Sequence, residues 1–439
     1  MQVGVHDGAQ LRSRLLATSR PLPELDVERA VGSWLYCHDG RRILDGSSGV
    51  LCVNVGHNSP KVAARIAGQL SRAAFAGPAV ARPYVQMELV ERLCRAVGRP
   101  DDHVAFTTSG TTGVEVALSI ARNISRVRGG ESRRHVLASN FSYHGNSAFT
   151  LAIAGSQARR PRAADSFGLA PAFPAPYPPS HTGGADGDHV CDATCADEVA
   201  QAIDSRGHEN VAAVIFEPVN GTTGGAFVPP DGYLRRLAEI CRERGVVLVH
   251  DEVLTGLWRA GKPLASDHWE GASADICILS KGLGAGYTSV AAVLIAPELA
   301  TLLKADGADP LPAMGTMAAT PLQAATCLGV LDELDSLDAK VFDERCHRLG
   351  ERLAALTEFS SVADVRGVGF LYGVELSQGL QWQFLERVER RGVLFYPFRY
   401  ATGEGFVVAP PLTSTDADLD FLVDTVRDTL ADLGPSRPE

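Results

Sequence analysis

Between Asp102 and Ala296 the chain returns repeatedly to short segments with hardly a polar break: VAAVIF, VVLVHD, DICILS and VAAVLIA. A strand with one wet face alternates apolar and polar residues, whereas a strand buried on both faces is apolar nearly throughout. HVAFTTSG and HVLASN read as further strands, and TGVEVALSIARNIS and YLRRLAEICRERG as helices between them. Buried strands alternating with helices predict an α/β fold, with a mostly parallel central sheet covered by helices on both faces.

The flanks read differently. GSWLYCHDGRRILDGSSG predicts a β-hairpin, followed by an amphipathic helix over Lys61–Ala74. From Thr320 a helical stretch, TPLQAATCLGVLDELDSL, leads to strands of its own in VADVRGVGFLYGVEL, GVLFYP and GFVVAPPL. The expected organisation is a large domain over 65–318 and a smaller α+β domain built from both chain ends, 1–64 and 319–439. The stretch from Ala154 to Ala196 is rich in Pro and Gly. Loops that long are uncommon unless functional, so it is expected to run over the surface and help wall a functional site.

Composition narrows the classes of function. With 439 residues, 45% of them hydrophobic, the chain can bury an ample core. A net charge of -11 argues against nucleic acid as a partner. The N-terminus lacks an apolar stretch of signal-peptide length and the longest apolar runs fall short of a membrane span, so no membrane association and a cytoplasmic location are expected. The 9 cysteines are scattered through core-like contexts and read as reduced thiols. Cys191 and Cys195 in CDATC lie near His181 and His189, but the spacing matches no standard zinc pattern and no metal is expected.

Lysine is rare, 5 against 36 arginines, so each position is informative. Lys61, Lys262, Lys304 and Lys340 sit at a helix start, in a turn and in charged helical stretches. Lys281 differs: it follows the apolar strand ICILS and precedes GLGAGY, where glycines let a bulky group approach the backbone. A lysine that forms an imine needs such a rigid, partly desolvated place. Upstream, VVLVHDEV ends a buried strand with Asp251 and Glu252. A carboxylate there can pair with a protonated pyridine nitrogen, and strand C-terminal ends of one parallel sheet gather at one edge. TTSGTTG then aims a helix start, with Gly110 and Thr111 as first donors, at an anion such as a cofactor phosphate. Tyr143 and His144 in SYHG offer aromatic faces to a planar ring. GLGAGY follows the lysine instead of opening a βαβ unit, so it does not read as a dinucleotide loop.

The chain resembles the class III aminotransferases of pyridoxal-phosphate (PLP) fold type I, the ornithine, GABA and omega-amine type. The motifs run in family order from about Val31 to the end: HDGRRILDGSSGVLCVNVGHNSP, FTTSGTTGVEVALSIAR, YHG, VIFEPVNGTTGGAFVPPDGYL, VVLVHDEVLTG, LSKGLGAGY, GTMAATPLQAA, VRGVGF and VVAPPLT. The resemblance implies pyridoxal 5'-phosphate as cofactor and Lys281 as its Schiff-base lysine and proton shuttle. It implies Asp251 as partner of the pyridine nitrogen, Tyr143 stacked on the ring and Val253 on the opposite face. Gly110 and Thr111 would hold the phosphate, joined by Thr316 of the neighbouring subunit. A homodimer with shared sites, acting on small-molecule amines and carbonyl compounds, is thereby implied.

Departures from the family bear on specificity. Thr112 stands where the family usually has Glu, and TMAATP replaces a stretch that normally carries Gly and Asn. Glu217 matches the glutamate that switches a carboxylate-binding arginine in several members, but Val407 stands where that arginine would be. An apolar residue cannot form a bidentate carboxylate clamp. Arg399, in FYPFRYATGEG, is the candidate replacement. A substrate amine without a nearby carboxylate, including an amino sugar or a natural-product intermediate, fits these departures. Transamination is the expected reaction. A racemase, epimerase, aminomutase or eliminating enzyme on the same scaffold is the alternative, and a catalytically silent binding protein is the third reading. His57 is expected to be structural or near the interface, and Trp258, Arg259 and Trp269 are candidates for lining a substrate channel.

Overall fold

The hairpin near the start is present as β2 (Trp34–Cys37) and β3 (Arg42–Asp45), with β1 (Val27–Val31) adding a third antiparallel strand. The computed structural model describes residues 25–77, 81–155, 191–305, 315–400 and 403–434. Helix α1 (Pro60–Leu70) starts where Ser59 Oγ accepts from the Val62 amide and Pro60 supplies a preset φ. It stops earlier than the expected Ala74. The amides of Arg72 and Ala73 both turn back onto Gln69 O, and Gln69 Nε2 donates to Ala73 O, which closes the last turn. Helix α2 (Tyr84–Ala96) follows.

The central sheet holds β4 (His103–Thr107), β5 (His135–Ala138), β6 (Val211–Phe216), β7 (Val247–Asp251), β8 (Ile276–Leu279) and β9 (Ala291–Ile295), in the order β4-β9-β8-β7-β6-β5. β5 through β8 pair in parallel, while β9 runs antiparallel to both its neighbours, β8 and β4. Every residue of β6, β7, β8 and β9 is buried, as their unbroken apolar runs predict. Helix α3 (Gly110–Gly129) covers one face with Val114, Ala117 and Leu118, and α4 (Tyr233–Glu243) covers the other with Leu234 and Leu237. Each wholly buried Val, Leu or Ile contributes roughly 1.5–3 kcal/mol.

The two-residue period of β7 decides what reaches the site. Val247 and Val249 pack under α3, and Leu248 packs under α4. Asp251 therefore follows Val249 onto the side where α3 begins, and His250 follows Leu248 onto the other.

After α5 (Pro321–Leu334), β10 (Val362–Val368), β11 (Leu371–Leu376), β13 (Tyr396–Arg399) and β14 (Glu404–Val408) form an antiparallel sheet in the order β10-β11-β14-β13. The short β12 (Val393–Leu394) pairs in parallel with β3, so N-terminal residues complete the C-terminal part. β11 also carries the Gly-rich loop after β6. A Cβ on Gly373 would lie 2.0 Å from Gly225 O, and Arg366 donates to Gly224 O from two nitrogens at 3.0 and 2.8 Å. Only glycine permits that approach, which fixes the loop against the sheet.

All 9 cysteines are free thiols, and no group of His, Cys, Asp and Glu among the described residues is placed to hold a metal. His181, His189, most of the Pro/Gly-rich stretch and residues 1–24 lie outside the described residues. Among the described residues, no helix is long and apolar enough to cross a membrane.

Candidate active site

A cavity of ≈ 490 Å³ opens at the C-terminal ends of the parallel strands. Its lining includes Gly110, Thr111, Tyr143, Glu217, Asp251, Val253 and Lys281, residues that the sequence scatters over some 170 positions. The crossover topology explains the gathering, because each strand hands over to its loop at the same sheet edge.

Three strand ends bring polar groups to the cavity. β4 runs into Ser109, whose side chain accepts from the Thr112 amide while Thr112 Oγ1 accepts from the Ser109 amide. This capping box is why Thr112 is accommodated, and it leaves the first amides of α3 aimed at the cavity. At Gly110 a Cβ would meet Val253 Cγ1 at 2.9 Å, so only glycine keeps this cradle open against its far wall. Thr111 Oγ1 donates to Asn146 Oδ1 at 3.0 Å, which steadies the rim.

β7 ends on Asp251, only 5% exposed. Its Oδ2 lies 2.8 Å from Nδ1 of His144, and its Oδ1 accepts from the Val253 amide at 3.1 Å. The carboxylate neighbour assigns the proton to Nδ1 of the ring. Burial opposes charge on His144, but the hydrogen bond and charge of Asp251, with Glu217 beyond, outweigh it and raise its pKa. His144 is thus committed to Asp251 through its ring edge and is not free to stack. Its Nε2 is buried with no hydrogen-bond partner. From the SYHG motif alone Tyr143 and His144 share one expected role; adjacency marks the pair but not its division of labour.

β8 ends at Leu279; Ser280 follows, its hydroxyl donating to Val290 O, and the next residue is Lys281. Lys281 has φ +37, a left-handed conformation that a non-glycine residue adopts only when its surroundings enforce it. Leu283, Gly284 and Ala285 turn back on Ser280 and Lys281 to hold it there.

Glu217 closes the cavity beside Tyr143. Its Oε2 accepts from the Tyr143 amide at 3.1 Å and from Asn220 Nδ2 at 3.0 Å, and its Oε1 accepts from the Gly221 amide at 3.3 Å. Protein surrounds it except where it meets the cavity, and that burial, with the nearby Asp251 charge, pushes its pKa up to about 7 against the lowering by His144.

Other expectations are corrected or placed elsewhere. Arg399 pairs with Glu404 and does not line the cavity, so it is no substitute for the missing arginine. Val407 is buried in an apolar cluster with Val219 and Leu254, both of which face the cavity. Arg259 lines no channel: it is wholly buried, donating to Phe370 O, Pro410 O, Ser48 Oγ and Asn54 Oδ1, a brace between chain segments. Trp258 and Trp269 are likewise absent from the lining, and Trp269 Nε1 donates to Asp231. His57 bonds Asp45 at 3.1 Å and bridges Gly32, a structural place. Thr316 is exposed and does not line the cavity of its own chain. Val50, Thr222, Thr255 and Tyr396 line the cavity without having been singled out. They come from four separate segments, Tyr396 from the start of β13, and no local pattern marks them.

A primary amine, a carboxylate braced by a histidine and open helix-start amides on one cavity suit a phosphorylated pyridine aldehyde. The amine would take the carbonyl carbon, the carboxylate a ring nitrogen and the amides the phosphate.

Comparison with known proteins leads to the same chemistry. The Aminotransferase class-III family matches residues 16–430. An uncharacterized aminotransferase of Bacillus subtilis is 30% identical, over 92% of this chain and 94% of its own length. An (S)-enantioselective omega-transaminase from Thermomicrobium roseum superposes with a TM-score of 0.84 at 30% identity, covering 97% of each chain. An amine transaminase from an uncultivated Pseudomonas species, solved with PLP bound, gives 0.85 at 28% identity, over 95% of this chain and 98% of that one. The chain belongs to the class III aminotransferases, enzymes of PLP fold type I that use pyridoxal phosphate as cofactor.

Proposed function

We propose that this aminotransferase carries its cofactor on Lys281 and takes the amino group from a primary amine that lacks a carboxylate beside the reacting carbon. The observation that carries the assignment of residues is the convergence of Lys281, the Asp251–His144 pair and the start of α3 on one cavity. Pyridoxal phosphate, when bound, supplies the electron sink that makes a carbon–hydrogen bond next to nitrogen acidic.

The chain's own residues do the rest. Asp251, held by His144 and by the Val253 amide, keeps a proton on the ring nitrogen. Gly110 and Thr111 present the amides that grip the phosphate, and Tyr143 and Val253 flank the ring. Lys281 would hold the cofactor through Nζ, and the same amine is the base that would take and return the proton at the substrate carbon bearing nitrogen. Among the described residues no guanidinium lines the cavity, and Val219, Leu254 and the buried Val407 behind them present an apolar wall to a substrate carboxylate.

The same reading makes the working unit a homodimer in the cytoplasm, with Thr316 of the partner subunit added to the phosphate grip. Exposed Leu70, Phe75, Tyr84, Met87 and Met317 leave large apolar side chains that a subunit interface would cover. It divides the chain into a large domain over 65–318 and a smaller one from 1–64 and 319–439.

The test is the absorption spectrum of the holoenzyme titrated with amines in the absence of acceptor, for wild type and Lys281→Ala. Conversion of the cofactor to its amine form is expected in wild type. In the variant the rate should fall about 10³-fold or more, since general acid–base catalysis alone contributes about 10²–10⁴. Normal conversion by Lys281→Ala would rule out the assignment.

A further inference from the structure

We infer that Glu217 is a substrate-reading carboxylate, and that the preferred amino donor carries a second positive charge, as a diamine or an amino sugar with more than one ammonium does. This deepens the aminotransferase reading above and rests on it.

A carboxylate at the edge of an active-site cavity is normally matched by a cation. At Glu217 the hydrogen-bond donors are the backbone amides of Tyr143 and Gly221 and the side-chain amide of Asn220, all neutral. Among the described residues no Lys, Arg or His makes an ion pair with it. His144 lies close enough to feel its charge, but its Nδ1 is taken by Asp251. The place that the family resemblance gives to a pairing arginine is the apolar Val407, and Arg399 is engaged by Glu404.

The arrangement is nevertheless built with care. The two bonds to Oε2 and the one to Oε1 orient the carboxylate, and the loop that provides Asn220 and Gly221 is clamped by Arg366 and by Gly373. Oε2 has both of its acceptor sites used, whereas Oε1 accepts a single bond at 3.3 Å and keeps acceptor capacity in a residue that lines the cavity. A charge-assisted hydrogen bond from a substrate ammonium would use that capacity and supply the missing countercharge. Around it the walls are apolar or neutral, with Val50, Val219, Thr222, Leu254 and Tyr396, so that Glu217 is the charge which distinguishes one substrate from another on this side. The other charged groups facing the cavity, Asp251, His144 and Lys281, are committed to the cofactor.

The elevated pKa of Glu217, about 7, gives the idea a second signature. Without substrate the carboxyl is half protonated near neutrality, and a bound ammonium favours the charged form. Apparent affinity for a dicationic donor should therefore improve as pH rises through 7, with no matching limb for a monoamine.

The experiment compares kcat/KM of the holoenzyme for 1,4-diaminobutane and butylamine, and for 1,5-diaminopentane and pentylamine, from pH 6 to 8.5. In wild type the diamine should be favoured by about tenfold or more in at least one pair, the tenfold that 1.4 kcal/mol represents. In Glu217→Gln, which keeps the size and the possible bonds to Tyr143 and Gly221, the ratio should fall to within about threefold of unity. The pH limb should vanish with it. A wild-type ratio near one, or a preference and pH limb that survive in Glu217→Gln, overturns the inference. So does turnover of alanine or glutamate with neither pair of amines converted, although transamination would stand. If no amine or amino acid converts the cofactor, the aminotransferase reading itself fails.

Discussion

The two sides of the cavity are built on different principles. On the side of β7 and β8, each charged group is held in place: Asp251 by His144, and Lys281 by an enforced backbone conformation at a strand end. On the side of the β6–α4 loop and β14, the one charged group, Glu217, has only neutral donors, and the walls are apolar. The first side is preorganised for a cofactor whose charges are fixed. The second has a charge left for whatever enters. Rigid charge pairing marks the part of the site that stays constant through turnover, and an unmatched charge marks the part that selects.

That contrast breaks most sharply at Asp251. Asp251→Ala should lower single-turnover rates by about 10³-fold, within the range for groups that control a proton in the transition state. It should also weaken cofactor retention on gel filtration. A loss below about tenfold would mean that the ring nitrogen finds its proton elsewhere. His144→Ala should cost less, about 10- to 100-fold, because the second contacts of such sites commonly carry that much. His144→Asn, whose Nδ2 can reproduce the bond from Nδ1, should recover most of it. A merely space-filling histidine would show no such difference between Ala and Asn.

The pH behaviour of His144 has a defined sign. Its folded-state pKa lies above the ordinary value of 6.5, so its pairing with Asp251 stabilises the fold fully below about 6.5. That contribution is lost as pH rises through the raised value. His250, one residue from Asp251, makes the opposite case: it is wholly buried without a partner for Nε2, and its pKa is pushed down to about 3. Two buried histidines thus diverge because carboxylates face His144, whereas His250 has none and feels the charge of Arg99 instead.

Gly110 sharpens the comparison on the cofactor side. Gly110→Ala sets a Cβ against Val253 Cγ1, and the neighbour must move for the cradle to form. The expected result is about a tenfold weaker hold on pyridoxal phosphate, measured by equilibrium dialysis, with the fold intact by circular dichroism. Tenfold corresponds to about 1.4 kcal/mol, at the low end for overpacking. Unchanged affinity would remove Gly110 from the phosphate cradle.

How much of this was legible beforehand follows from what determines each part. The sheet was legible because burial on both faces leaves an apolar run, and β6 through β9 are buried at every position. Its strand order, with β9 antiparallel between β4 and β8, was not, because pairing is decided by distant segments. Lys281 and Asp251 stood out as charges at the ends of apolar strands. The His144–Asp251 bond did not, since it joins residues 107 positions apart. Arg399 misled for a local reason: Glu404, across the turn from it on β14, captures the guanidinium before it can reach the cavity. Arg259 misled in the reverse way, because nothing local announces that four acceptors from distant segments surround it.

The smallest effect tests the selecting side without any substrate. The Glu217 carboxyl holds its proton up to about 7 in the folded chain, well above the ordinary 4.5. The unfolded chain releases that proton first as pH rises, so charging Glu217 destabilises the fold progressively from about pH 4.5 and fully only above 7. Glu217→Gln removes the group that must charge. Its melting temperature should therefore match wild type at pH 5 and exceed it at pH 8 by a few degrees, the shift expected for about 1–2 kcal/mol in a chain of this size. A cofactor-side substitution such as His144→Asn should show no gain at pH 8. If Glu217→Gln melted lower than wild type at pH 8, the carboxylate would be a satisfied structural anion, and the two sides of the cavity would be built alike after all.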